Sequence, residues 1–163
     1  MVRKERDHST AKNDGRSMPL RVKPDERKTI IKDIAPCGMN CRVCYATMRE
    51  NGVQCPGCLG GDKNKNKSCI SCRILNCDRR KEDAKYCFSC DVFPCSRLKQ
   101  LDARYRKKYC MSMIENLNNI LHIGIREFVS REDSRWICAE CGKKLCVHRA
   151  ECPNCGHAWR NEK

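Results

Sequence analysis

Cys37, Cys41 and Cys44 stand in the stretch CGMNCRVC, with the CxxxCxxC spacing that radical enzymes use to hold an iron–sulfur cluster with one open iron. Further CxxC pairs follow at Cys55/Cys58, Cys69/Cys72 and Cys87/Cys90. With Cys41/Cys44 they make four knuckles in one segment, the first three at steps of fourteen residues. Two residues between thiolates let a tight turn aim both sulfurs at one ion at about 2.3 Å, while amides of the turn hydrogen-bond the sulfurs. Two knuckles complete a tetrahedral site, so four make two sites, paired as neighbours, as alternates or nested. Sequence does not choose among these. Cys37, Cys77 and Cys95 are left over, and with one borrowed ligand, for which Cys110, a histidine or a carboxylate are the candidates, they can build a third site.

The segment from Trp136 to Trp159, WICAECGKKLCVHRAECPNCGHAW, sets Cys138/Cys141 against Cys152/Cys155 across ten residues. That is the pattern of a compact zinc ribbon or a rubredoxin-like knuckle pair. Glycine stands where such turns want it, directly after Cys141 and Cys155 and inside Cys55-Pro56-Gly57-Cys58. With four ligands already supplied, Cys146, His148 and His157 read as loop or supporting groups. Cys110, at a predicted helix end, reads as a small buried hydrophobe rather than a ligand.

Catalysis finds little support. A radical enzyme needs a partial barrel of roughly 200 residues to enclose its cofactor, and the shorter segment between Thr29 and the ribbon lacks alternating strands and helices. Cys41 and Cys44 are also accounted for as the first knuckle. His8, His122, His148 and His157 are scattered, with no HExxH or HxE arrangement, and no Gly-rich phosphate loop occurs. The sequence therefore predicts a non-enzymatic protein with no catalytic residues and no small-molecule substrate. Zinc is the expected metal, as three ions or four, with an iron–sulfur cluster as the alternative because the same thiolates suit either.

The elements that must hold these ligands are sparsely apolar. Of 163 residues, 40 % are hydrophobic only when the 17 cysteines are counted, and 6 % are aromatic, so metal is expected to replace part of the core. The start, MVRKERDHST, has no apolar leader and no later stretch resembles a membrane span. A cytoplasmic protein is expected, and in a reducing compartment an odd number of cysteines in CxxC pairs reads as metal ligands rather than disulfides. The predicted organisation is a disordered basic tail at 1–29, a cysteine-rich metal-binding domain with helices at 30–133, and a zinc ribbon at 134–163. The fold class is small, metal-stabilised, α+β or irregular: a knuckle domain, two or three helices, then the ribbon.

Leu98, Leu101, Tyr105 and Tyr109 recur at helical intervals. Ser112 with Glu115 reads as a capping box opening a second helix, whose stripe is Ile114, Leu117, Ile120 and Leu121 and whose end is Gly124. Ile125, Phe128 and Val129 suggest a third short helix at 125–133. Ile30, Ile31, Ile34 and Ala35 lead into Cys37 as a short strand or a helical turn.

The formal charge of +14 would fall to about +8 with three zinc ions on four thiolates each. The chain stays basic, which favours RNA, DNA or a ribonucleoprotein as partner. Arg97, Lys99, Arg104, Arg106, Lys107 and Lys108 on the first helix are the candidate contacts. Tyr105, Tyr109 or Trp159 could stack on a base, although the two tyrosines are expected to turn inward instead. The competing readings are a protein-interaction or assembly factor, docking through the ribbon and helices onto a protein complex, and an iron–sulfur electron-transfer or accessory protein.

Cys37-Gly38, Cys41, Cys44, the CPGC at 55–58, Tyr86-Cys87, Cys90, Phe93-Pro94-Cys95, Arg104-Tyr105-Arg106 and Ile114-Glu115-Asn116-Leu117 together resemble a domain-of-unknown-function family of small cysteine-rich prokaryotic proteins, frequent in anaerobes. The resemblance spans about Ile34 to Phe128, and some members carry a similar terminal ribbon. It implies zinc at the matched cysteines and no particular activity.

Overall fold

The computed structural model describes residues 27–50, 52–80 and 84–161. Most of the predicted tail, 1–29, lies outside the described residues. The helices are α1 (Tyr45–Met48), α2 (Lys67–Ile70), α3 (Ser96–Tyr109), α4 (Met113–Ile123) and α5 (Ile125–Arg135), with single 3-10 turns at Ile31–Asp33, Cys41–Val43 and Cys87–Ser89. Among the described residues, extended pairing is confined to the isolated bridges Ile34↔Asn40, Ile137↔Lys144 and Glu151↔Ala158. The α+β expectation is thus corrected to a small, mostly helical protein. Each paired stretch turns back within a few residues, too soon for a ladder to extend.

The helical periods place their residues as expected, with one exception. Leu98 is fully buried and Leu101, Tyr105 and Tyr109 pack partly against the same core. Leu117, Ile120 and Phe128 are buried too, but Leu121 is 57 % exposed, and Met113 and Asn116 take the inner face of α4 instead. α4 packs on both α3 and α5. Gly124 closes α4 at φ +78°, its amide donating to Ile120 O at 2.9 Å. Ser112 caps α4 by accepting from Glu115 N at 3.0 Å, while its own hydroxyl donates to Asp102 Oδ1 at 2.7 Å. Asp102 also accepts from Ile114 N at 3.0 Å. The one acid among the candidate basic positions of α3 is therefore turned inward to hold the start of α4.

A single apolar cluster joins the 34–43 loop, the three long helices and the ribbon, including Ile34, Val43, Leu98, Met111, Leu117, Phe128, Trp136, Leu145 and Val147. Polar groups cross-link it. Asn40, fully buried, donates through Nδ2 to Glu132 Oε2 at 3.1 Å, and Trp136 Nε1 donates to the same oxygen at 2.9 Å. Asn116 Nδ2 donates to Gly38 O at 2.9 Å. The contrast lies in the cysteine-rich stretch. Among the described residues between 49 and 85 only Gly57 is buried, and Val53, Leu59 and Ile70 face solvent. That stretch has no oily interior of its own, which is where the expectation of metal in place of a core bears hardest.

Candidate metal centre

The ribbon is two copies of one knuckle. Cys138 N donates to Lys143 O at 2.8 Å and Cys152 N to His157 O at 2.8 Å, fourteen residues on; Gly142 N donates to Cys138 O at 2.9 Å and Gly156 N to Cys152 O at 3.0 Å. Gly142 and Gly156 take φ of +70° and +75°, the left-handed conformation that lets the chain turn back over its own sulfurs. The knuckles face each other: the sulfurs of Cys138, Cys141, Cys152 and Cys155 all lie within 4.8 Å of one another. Cys138 Sγ is 3.7 Å from Cys155 Sγ, and Cys141 Sγ 3.6 Å from Cys152 Sγ. A tetrahedral ion with metal–sulfur bonds of about 2.3 Å requires sulfurs about 3.8 Å apart. The tetrad can hold one metal ion.

Its protonation argues the same way. The Cys141 thiol is pulled down to about 6, first by the backbone hydrogen bond from Lys143. At Cys155 the backbone hydrogen bond from His157 lowers the thiol, but burial and the neighbours Cys141, Cys138 and Cys152 outweigh it and push it up to about 12. A cation among these sulfurs would favour their thiolate forms.

Among the sulfurs before α3 two groups stand out, with Cys37 between them. Cys41 joins the second knuckle, with Cys58 N donating to its Sγ at 3.3 Å, and Gly57 (φ +84°) brings the CPGC turn against the Cys41 side chain. The Cys44 thiol is pushed up to about 12, chiefly by burial, with Cys146, Cys55 and Cys69 as charged neighbours. Cys69 lies near Cys58, Cys55 and Cys72. Cys37 is buried and also pushed up to about 12 by burial, near Cys58, Cys87 and Cys72. The second group is Cys77, Cys87, Cys90 and Cys95, which line one cavity. Among the described residues no set of three ligand atoms outside the ribbon tetrad closes to within 4.8 Å.

The remaining candidates sit elsewhere. Cys110 is exposed, at φ +50°, ending α3, which corrects the expectation of a buried group: the chain needs a left-handed residue there to turn into α4. Cys146 is fully buried beside Met48. His157 gives the second knuckle its backbone carbonyl. Arg97, Lys99, Arg104, Arg106, Lys107 and Lys108 are all exposed along α3. Tyr105 and Tyr109 turn inward, as expected.

They turn inward onto a group whose role spacing did not reveal. His148 Nδ1 accepts from Tyr45 N at 3.2 Å, so the neutral ring carries its proton on Nε2, 3.2 Å from Tyr105 Oη. Tyr109 lies edge-on at 4.7 Å. With Val147 N donating to Val43 O at 2.8 Å, His148 is the wedge by which the ribbon grips the first knuckle and α3. Burial, and then Arg160, lower its basicity to about 4. A depressed histidine stabilises the fold while both states are neutral, and that contribution is lost as pH falls from the ordinary value of 6.5 toward 4. At pH 5 the wild type should have lost about 2 kcal/mol more than His148→Gln, which does not titrate. Denaturant melts of both proteins at pH 7 and 5 check this; parallel losses would remove His148 as the titrating group.

The class these features define is a small, mostly helical, cysteine-rich protein with a carboxy-terminal tetrad able to hold a metal ion. Residues 33–100 match the model of a family described as a protein of unknown function (DUF3795). This is shorter than the expected span to Phe128: it takes in the knuckle segment and the first turn of α3, and leaves α4, α5 and the ribbon outside. No curated protein matches the chain, and no solved structure does. Among the described residues no helix is long and apolar enough to cross a membrane.

Proposed function

We propose that the protein is a non-enzymatic multi-zinc module that binds nucleic acid through the exposed face of α3. The observation carrying this reading is the sorting of charge on that helix. Arg97, Lys99, Arg104, Arg106, Lys107 and Lys108 are exposed, while Asp102 is buried and spent on Ser112 and Ile114. A phosphate backbone approaching α3 meets cations unopposed by that carboxylate. The ribbon and knuckles supply rigidity, in that α3 is held between the cysteine-rich segment, where Arg97 Nη1 donates to Arg73 O at 3.3 Å, and the His148 wedge. A single ion rather than an iron–sulfur cluster is supported at the ribbon by its sulfur spacing, and zinc is the ion this reading assigns there.

The test is a salt titration of binding to a short RNA and a short DNA duplex. Neutralising four to six phosphates gives a slope of log K against log salt of about −3.5 to −5.5 on duplex DNA. Replacing Arg104, Arg106 and Lys108 together by Ala should flatten that slope by about 2 to 3 and weaken binding alike for different sequences. Absence of binding, or binding without a salt slope, removes this reading, and capture of a protein complex that resists nuclease would put an assembly role in its place.

A further inference from the structure

The fourth knuckle, Cys87/Cys90, has no CxxC partner in its own neighbourhood. The 3-10 turn at Cys87–Ser89 presents it toward a cavity of about 550 Å³ whose wall also holds Cys77 and Cys95. Cys95, Arg80, Cys77 and Cys90 act electrostatically on the Cys87 sulfur. The first three knuckles, by contrast, neighbour one another, through Cys41 with Cys58 and through Cys69 with Cys55, Cys58 and Cys72. Pairing knuckle with knuckle throughout, as spacing suggests, would leave Cys77 and Cys95 idle in this wall.

The rest of the wall combines apolar groups, Ile74, Val92, Phe93 and Leu98, with charges that are mainly basic. Arg73, Arg79, Arg80 and Arg97 line the cavity, with Asp78 as the opposing carboxylate. Arg80 Nη2 is anchored on Leu75 O at 2.8 Å and Arg97 Nη1 on Arg73 O at 3.3 Å, so these two guanidinium groups are fixed beside the sulfurs. Four thiolates around a divalent ion, or around a cubane cluster of charge 2+, leave about two negative charges. Nearby guanidinium groups offset such a charge.

We propose that Cys77, Cys87, Cys90 and Cys95 form a second thiolate metal centre, separate from the ribbon, in which two isolated cysteines close the fourth knuckle and arginines balance its charge. This rests on the multi-metal reading above but does not depend on nucleic-acid binding. No three of these sulfurs lie within 4.8 Å of one another, so a cubane cluster would meet them nearer to where they stand and a single zinc ion would have to draw them together. The two metal sources share the thiolate chemistry.

The test uses the full chain purified without oxygen. Zinc, iron and sulfide are counted per chain, the visible spectrum is recorded, and thiols are alkylated in the native state and mapped by mass spectrometry. The expected result is protection of Cys77, Cys87, Cys90 and Cys95 as one set, lost together on chelation. Zinc without colour, or iron and sulfide with absorption near 400 nm, distinguishes the two sources. Cys77→Ser and Cys95→Ser should each remove this centre's metal and leave the ribbon's ion in place, whereas Cys69→Ser should leave this centre loaded. Metal present with Cys77 and Cys95 alkylated as fast as exposed Cys110 overturns the ligand set while sparing the multi-metal reading. A chain that binds only the ribbon's ion overturns both.

Discussion

Cys138→Ser should abolish metal binding at the ribbon and unfold residues 136–159, and the loss should spread into the helices. A structural site of this kind supplies about 10–16 kcal/mol of apparent binding free energy at neutral pH, more than the whole stability of an ordinary small domain. The bridges Ile137↔Lys144 and Glu151↔Ala158 each close one knuckle on itself, so among the described residues no bridge ties the two knuckles together. Trp136 is the reporter. It is almost wholly buried at the end of α5, donates to Glu132 and meets Trp159 edge-on at 5.4 Å. Trp136, Leu145 and Val147 also belong to the cluster that contains Leu98, Leu117 and Phe128. Loss of the ion should therefore red-shift tryptophan fluorescence and lower the melting midpoint of the helices in the same transition. A metal-free variant with unchanged fluorescence and an unchanged midpoint would show that carbon packing alone holds the ribbon. Chelation should reach further than the ribbon variant, because the stretch between residues 49 and 85 buries almost nothing by itself.

What the sequence disclosed follows the range of each interaction. The ribbon was legible because its ligands, its glycines and its fourteen-residue repeat lie within one short segment. The stripes of α3 and α4 were legible because a helix writes its buried face at intervals of three and four. The same rule misplaced Leu121, whose interval is right but whose flank of α4 has no neighbour, while Asn116 occupies the inner face because Gly38 O offers it a partner. Contacts such as Asn40 to Glu132 and Tyr45 to His148 join residues about a hundred positions apart, and no local period encodes them. Pairing among the knuckles is hidden for the same cause: identical CxxC turns carry no mark of their partners, and only the folded chain lines one cavity with Cys77, Cys87, Cys90 and Cys95. The exposed Cys110 was missed because its place is fixed by backbone conformation, not by side-chain chemistry.

Gly38 is the backbone counterpart of the ribbon ion, and Gly38→Ala should cost about 3 kcal/mol or more. Two independent terms add. At φ +86° an L side chain is strained, by about 1–2 kcal/mol. A Cβ at this position would also lie 2.7 Å from Met113 O and 2.9 Å from Leu117 Cγ. Met113 O belongs to the first turn of α4 and cannot rotate aside, so the loop or the helix must move, at an overpacking cost of about 1–3 kcal/mol. Moving the loop also breaks the hydrogen bond from Asn116 to Gly38 O and shifts Cys37 and Cys41 on either side. Gly52→Ala is the control, since Gly52 has a similar φ of +90° but open space around it, and it should pay the conformational term alone. Denaturant melts of the three proteins, each with its metal content measured, decide the matter. Gly38→Ala should be the less stable variant and should hold metal at the amino-terminal cysteines less tightly; equal losses in the two variants would mean that α4 does not press on this loop. The close approach shows what fixes this cysteine-bearing loop: its backbone lies directly against α4, at a distance only glycine permits.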